Sequence, residues 1–327
     1  MSLSWNELED DERQRVEELY KPPSTIRDLV RFEDGVLLPR LFVTNNWAER
    51  IRNLEVRKDD IWILSYPKTG TTWTIELVWM LINDLQLETA NIPEHLRCPI
   101  MEGASVITCD FLQSLGMKPE DPELCAALDD PVTYCGSLKK RRLIKSHLPL
   151  EFLPPTLLNT CKVVYVARNP KDTAVSFYHM ALDSPILSYK GTLEQFLDLF
   201  IDGLNLFGPY FYHLLSGWKL RDHPNVKFLW FEDMKKDQKT AIQSLCAFLE
   251  HQLSEDQIDK LEDYINFDNM KKNSNATPVA GIQMPGEFLR KGKVGDWKNH
   301  FNAMMIERWE HWIKENIANT GLQFMEA

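Results

Sequence analysis

The chain has 327 residues, 44% hydrophobic and 26% charged, an ordinary globular composition with enough apolar side chains for one large core. Its net charge of −11 argues against a general nucleic-acid binder, but leaves room for a small anion held by a few local cations. No apolar run approaches the ~18 residues of a membrane span, no signal-like segment opens the chain, and the six cysteines form no C-x-x-C pair or zinc spacing. A single cytoplasmic domain over 1–327, with reduced thiols, is expected.

In chain order, "NELEDDERQRVEELY" (Asn6–Tyr20) reads as a solvated acidic helix, and residues 1–35 are expected to be peripheral. "IWILSY" (Ile61–Tyr66) is a short apolar strand that stops at Pro67, Lys68, Thr69 and Gly70. The segment "TTWTIELVWMLINDL" (Thr71–Leu85) is apolar on nearly every side, as in a helix packed between a sheet and other helices. Residues 97–140 and 273–289 lack sustained periodicity and are expected to be lid loops.

"RLIKSH" (Arg142–His147), "KVVYVAR" (Lys162–Arg168) and "VKFLWF" (Val226–Phe231) read as buried strands. "KDTAVSFYHMAL" (Lys171–Leu182) and "KTAIQSLCAFLEH" (Lys239–His251) read as helices, and capping boxes Thr192/Gln195 and Ser254/Gln257 start two more. This alternation predicts an α/β, P-loop-like three-layer fold, with a central mostly parallel sheet flanked by helices. Such sheets bind ligands beyond the carboxyl ends of their strands, where Lys68, Lys145, His147 and Arg168 all fall.

The strand–turn–helix "SYPKTGTTW" (Ser65–Trp73) has the parts of a phosphate-binding loop in an unusual order, with lysine before the glycine. Gly70 allows close backbone approach, Thr71 and Thr72 offer hydroxyls at a helix start, and Lys68 supplies charge. Trp73 offers a flat face to a nucleobase or fills the core.

The chain resembles the cytosolic sulfotransferases. The resemblance rests on "YPKTGTTW" together with "KSHLPL", "VVYVARNPKDTAVSFYH", "FLWFEDMKKD" and "FLRKGKVGDWKNHF", in the family's order. It implies 3′-phosphoadenosine 5′-phosphosulfate (PAPS) as sulfuryl donor and a hydroxyl or amine as acceptor. Lys68, Thr69, Gly70, Thr71 and Thr72 would cradle the 5′-phosphate, with Trp73 near the adenine. Arg168 and Ser176 would hold the 3′-phosphate with Arg290, Lys291 and Gly292; planar guanidinium forks suit phosphate oxygens. His147 would be the general base, with Lys68 at the bridging oxygen, Lys145 at the acceptor and Ser176 against Lys68. No metal is implied.

Some positions depart from the family pattern. Phe211 stands where a tyrosine often meets the adenine, and Ile265 and Asn266 replace a frequent Thr-Ser pair, while Phe267 and Met270 still suit an adenine wall. The family's dimer motif reads "KNHFNAMMIE" (Lys298–Glu307), leaving a homodimer possible by that route. A small lipophilic alcohol, steroid or phenol is the expected acceptor, lined by aromatics from among Phe42, Phe111, Tyr134, Phe152, Phe177 and Tyr189. Two alternatives stand: a retinol dehydratase-like reaction with the same donor, and an ATP-dependent kinase, which would leave the second anion site idle.

Overall fold

A computed structural model describes residues 4–117, 119, 121–272 and 289–325. Four parallel strands form its centre, in the order β5-β4-β6-β7: β4 (Ile61–Ser65), β5 (Leu143–Ser146), β6 (Lys162–Ala167) and β7 (Val226–Trp230). Alternate side chains leave opposite faces of these strands, so each face needs its own cover. Ile61, Ile63, Leu143, Val164 and Val166 join a core beneath the helices Thr71–Ile82, Gln238–Phe248 and Glu255–Tyr264. Trp62, Leu64, Ile144, Val163 and Tyr165 face the other way, toward the helices Pro170–Asp183, Leu193–Ile201 and Tyr210–Trp218. Three layers result, as the strand and helix alternation implies.

Both expected capping boxes are present, at Thr192 with Gln195 and Ser254 with Gln257. The N-terminal segment departs from expectation. Residues 1–35 are not peripheral in their described part: β1 (Trp5–Glu7), β2 (Leu29–Phe32) and β3 (Leu37–Pro39) form a second, antiparallel sheet. The acidic helix Asp10–Leu19 drives Val16 into the core, and Ile26, Val30 and Phe32 are buried with it. A charged outer face masked this single inward stripe in the sequence.

The span 97–140 is also not the irregular loop expected. It carries the helices Cys109–Ser114, Pro122–Asp129 and Pro131–Ser137, the last two begun by aspartate caps with proline in the first turn. These helices are too short to give a clear period. They bring Cys109 and Cys125 within 5.5 Å between Cα atoms, joined as a disulfide, which corrects the expectation of six reduced thiols; Cys98, Cys135, Cys161 and Cys246 are free and buried. Of the span 273–289, only Leu289 lies within the described residues. Among the described residues, no helix is long and apolar enough to cross a membrane, and no group of three or more acidic, His or Cys side chains could hold a metal ion.

Candidate active site

The carboxyl ends of the central strands open onto a cavity of about 270 Å³. Lys68, Gly70, Thr71, Thr72, Trp73, Lys145, His147, Arg168, Ser176, Phe267, Met270, Arg290, Lys291 and Gly292 all contribute to its wall. Nearly the whole expected site is thus brought together.

The turn after β4 is held in an unusual backbone. Lys68 and Gly70 both have positive φ, 69° and 110°, and a Cβ on Gly70 would lie 2.7 Å from the Phe231 ring behind it. Only glycine meets both demands. Thr69 turns its hydroxyl inward, donating to the carbonyls of Tyr66 (2.8 Å) and Val166 (3.0 Å), and so ties the loop to the end of β6. Its side chain is therefore a fastener and does not face the cavity. Thr71 Oγ1 meets Ser65 Oγ at 2.7 Å, and the helix Thr71–Ile82 begins there, aiming its unpaired amides over the turn.

His147 follows β5. Its backbone N–H donates to Glu102 Oε1 (2.6 Å), and its Nδ1–H donates to the Ser65 carbonyl (2.7 Å). A carbonyl can only accept, so this contact fixes the tautomer and leaves the Nε2 lone pair unprotonated. Burial, and then the Lys145 charge, push its pKa well below the usual imidazole value. Lys145 is itself held by Glu94 at 3.2 Å. Lys68 falls to about 7, through enclosure in the wall and then the charges of Arg168, Lys145 and Arg290.

Further cations share the wall, and Arg168 reaches the Lys68 carbonyl at 3.4 Å. Arg168 donates to the Lys293 carbonyl (2.8 Å), lies over Phe231 (4.4 Å) and faces Asp172 at 3.8 Å, while its buried Nε has no hydrogen-bond partner. Arg290 and Lys291 both bind Asp296, at 2.5 and 2.7 Å. Burial works to raise the Asp296 pKa, but these hydrogen bonds outweigh it and hold the carboxyl far below its usual range. A Cβ on Gly292 would collide with the Phe267 ring. Trp73 donates its Nε1–H to the Ile265 carbonyl (3.0 Å) and meets Phe231 edge-on.

Two further expectations fail here. Phe211 lies outside the cavity wall, buried against Trp312 at 4.6 Å, because the C-terminal helix Ala303–Ile317 covers it. Of the six aromatics proposed around the acceptor, only Phe177 lines the cavity. Phe42 and Phe152 pack against Phe32 in the core, Tyr189 meets Tyr20, and Phe111 and Tyr134 belong to the helical insertion and pack within it. The apolar wall is aliphatic instead, with Ile107, Met180, Ile186 and Leu187, closed by Phe207 beside His147. Sequence reading also missed His95, Glu102 and Lys235, all in the wall. Glu102 sits in the unperiodic span, where only the run after Arg97 could have drawn notice. Burial lifts its pKa to about 7, against hydrogen bonds from His147 and Ser146.

A parallel sheet whose strand ends carry a lysine-bearing turn, a buried imidazole and several cations defines a group-transfer site for a phosphorylated ligand. Residues 58–321 match the family model described as the sulfotransferase domain, and the chain belongs to that family. Rat sulfotransferase 1C2 is 34% identical over 288 residues, 86% of this chain and 90% of that protein. Luciferin sulfotransferase of Photinus pyralis is 34% identical over 291 residues, 84% and 76% of the two chains. In three dimensions the chain is similar to retinol dehydratase, solved in a complex with retinol and PAP, at a TM-score of 0.88 and 30% identity over 99% of both chains.

Proposed function

We propose that this chain moves a sulfuryl group from PAPS to a hydroxyl or amine of a small lipophilic acceptor, with His147 as general base, releasing adenosine 3′,5′-bisphosphate (PAP). The observation that carries the reading is the His147 Nδ1–H bond to Ser65 O at 2.7 Å, which frees Nε2 on a wall shared with Lys68 and Lys145.

The residues fit an adenosine phosphorylated at both ends of its ribose. Lys68 and the amides opening the helix Thr71–Ile82 suit one phosphate. Arg168, Arg290 and Lys291 suit the other, and the unpaired Arg168 Nε keeps one donor in hand. Trp73, Phe267 and Met270 give the base an apolar wall. Bound there, PAPS supplies a sulfuryl group already activated by its bond to phosphate. His147 takes the acceptor proton at Nε2, and its lowered pKa keeps it in the neutral, basic form near pH 7. Lys68, charged against an anion, faces the growing negative charge of the leaving oxygen, and Lys145, steadied by Glu94, orients the acceptor.

The test is incubation with PAPS and a panel of phenols, sterols, retinoids and amines, following PAP release and the sulfated product. His147→Ala is expected to lower turnover by about 10²-fold or more, while PAP affinity stays near that of the parent; unchanged turnover removes the histidine from the reaction. A retinol dehydratase-like outcome is favoured by the TM-score of 0.88 over 99% of both chains. Product analysis separates the two, since an anhydro hydrocarbon with free sulfate replaces the stable ester. Pairing of two copies through the surface segment 298–307, where Met304 is 76% exposed, belongs to the same proposal, and sedimentation of Met304→Glu against the parent tests it.

A further inference from the structure

The acceptor half of the cavity is aliphatic, so each polar group on it demands an account. Besides His147, and Lys145 held by Glu94, the same wall carries Glu102, Ser184 and His95. Glu102 commits both carboxylate oxygens, Oε1 to the His147 N–H and Oε2 to the Ser146 hydroxyl. Ser184 Oγ accepts from the backbone N–H groups of Ile186 and Leu187. His95 is different. It is 5% exposed, lines the cavity, and its enclosed Nδ1 has no hydrogen-bond partner. Among the described residues its Nε2 has none either. Buried polar side chains are seldom left so, and an apolar ring would fill the same space without loss.

We infer that His95 forms a second polar subsite for the acceptor, donating its ring N–H to an oxygen other than the one that becomes sulfated. The acceptor class is then an apolar alcohol or phenol bearing one further oxygen, as a ketone or hydroxyl. This deepens the sulfotransferase reading and rests on it. The ring is neutral near pH 7, because burial lowers its pKa to about 4 against the opposing pull of Glu94. A neutral imidazole has one N–H and one lone pair. A lone pair is the less costly group to leave enclosed, which assigns it to Nδ1 and the proton to Nε2. The subsite adjoins the reacting groups, since Glu94, the next residue, holds Lys145 at 3.2 Å, and Lys145 lies two residues before His147.

Matched acceptor pairs test it: a 3-hydroxysteroid with and without a ketone on the far ring, and a 4-hydroxyphenyl ketone against the 4-alkylphenol of the same length. The parent is expected to favour the oxygenated member of at least one pair by about tenfold in kcat/KM, since a site built to hydrogen-bond an oxygen rejects the analogue lacking it. His95→Phe should collapse that ratio toward one, and His95→Gln, which keeps a donor, should retain part of it. No preference in any pair, or an equal loss on both members in His95→Phe, overturns the inference. The parent ratio and His95→Gln decide the matter if His95→Phe does not fold. Should no acceptor be sulfated, the function proposed above fails separately. The same pairs are then ranked by thermal stabilisation of the PAP-saturated protein, where the ratio of affinities is judged by the same outcomes.

Discussion

With Lys68 at a phosphate of the nucleotide, as proposed above, binding is expected to take up a proton. In the free protein the lysine's pKa is lowered to about 7, because enclosure in the wall and three neighbouring cations disfavour the ammonium. It is then roughly half charged at pH 7 and about one-tenth charged at pH 8. An opposite charge within hydrogen-bonding distance restores about 1 to 3 units. A bound phosphate dianion that lifts the lysine by about 2 units leaves it about nine-tenths charged at pH 8, an uptake of about 0.8 proton. Because the complex holds more protons than its parts, affinity for PAP falls as pH rises above 7, by about sixfold per unit near pH 8. Phosphate monoesters, with a second pKa near ~6, are already dianions there and add nothing. Titration calorimetry at pH 8 in two buffers of different ionisation enthalpy reads the proton number directly. An uptake below about 0.2 proton, or full uptake retained in Lys68→Met, refutes the assignment.

Other expectations follow from the same geometry. Gly70→Ala places a Cβ 2.7 Å from Phe231 at a φ of 110°, so PAP affinity should collapse and chemical denaturation should register a loss of about 1–3 kcal/mol. Glu102 has its pKa raised from 4.5 to about 7 in the fold, so its contribution to stability is complete below pH 4.5 and fades as pH climbs through 7. That contribution amounts to about 3 kcal/mol, and urea midpoints of Glu102→Gln should lack this slope. Arg142 and Asp60 form an ion pair with side chains 1% and 0% exposed, so Arg142→Met strands a buried carboxylate; denaturant midpoints should reveal a cost of about 3–5 kcal/mol. PAP at about 100 times its Kd should stabilise the protein by about 2.7 kcal/mol in thermal melts. Stabilisation by ATP and not by PAP would favour the kinase alternative.

What could be read in the sequence was whatever depends on local chemistry. The turn at Lys68–Gly70 and the strand ends carrying Lys145, His147 and Arg168 reach one cavity because parallel strands deliver their carboxyl ends to the same edge. What stayed illegible depends on distant packing. Phe211 sits on a helix that the C-terminal helix covers, a contact between segments about a hundred residues apart, so its aromatic character says nothing of which way it faces. Phe42 and Phe152 likewise look like pocket residues until Phe32 from the N-terminal sheet packs against both. Thr69 was expected to touch phosphate, yet its hydroxyl is spent on two carbonyls that anchor the loop. Glu94 and His95 lie in a single helical turn, Glu94–Arg97, and Glu102 follows it, too short a stretch to show a period; the pairing of Ile100 with Lys145 helps carry that span to the site.

Four cations of the cavity, Lys145, Arg168, Arg290 and Lys291, are braced by partners within the fold. Glu94 holds Lys145, Asp172 and the Lys293 carbonyl hold Arg168, and Asp296 holds Arg290 and Lys291 together. Asp172 in turn accepts from the backbone N–H groups of Gly295 and Trp297, so one carboxylate ties the helix after β6 to the segment bearing Arg290. Flexible lysines and arginines would otherwise lose rotamer freedom on meeting a ligand. Here much of that ordering is completed by folding, and the positive potential stands in position before an anion arrives. The bracing carboxylates also moderate the mutual repulsion among the cations, which is strong enough to help depress Lys68. Asp296→Asn separates these roles. It keeps the side chain's shape but removes the charge that gathers Arg290 and Lys291, and PAP affinity should fall by about tenfold, measured by calorimetry at constant ionic strength. Tighter binding in the variant would mean that Asp296 competes with the phosphate for its cations, and the bracing role would have to be abandoned.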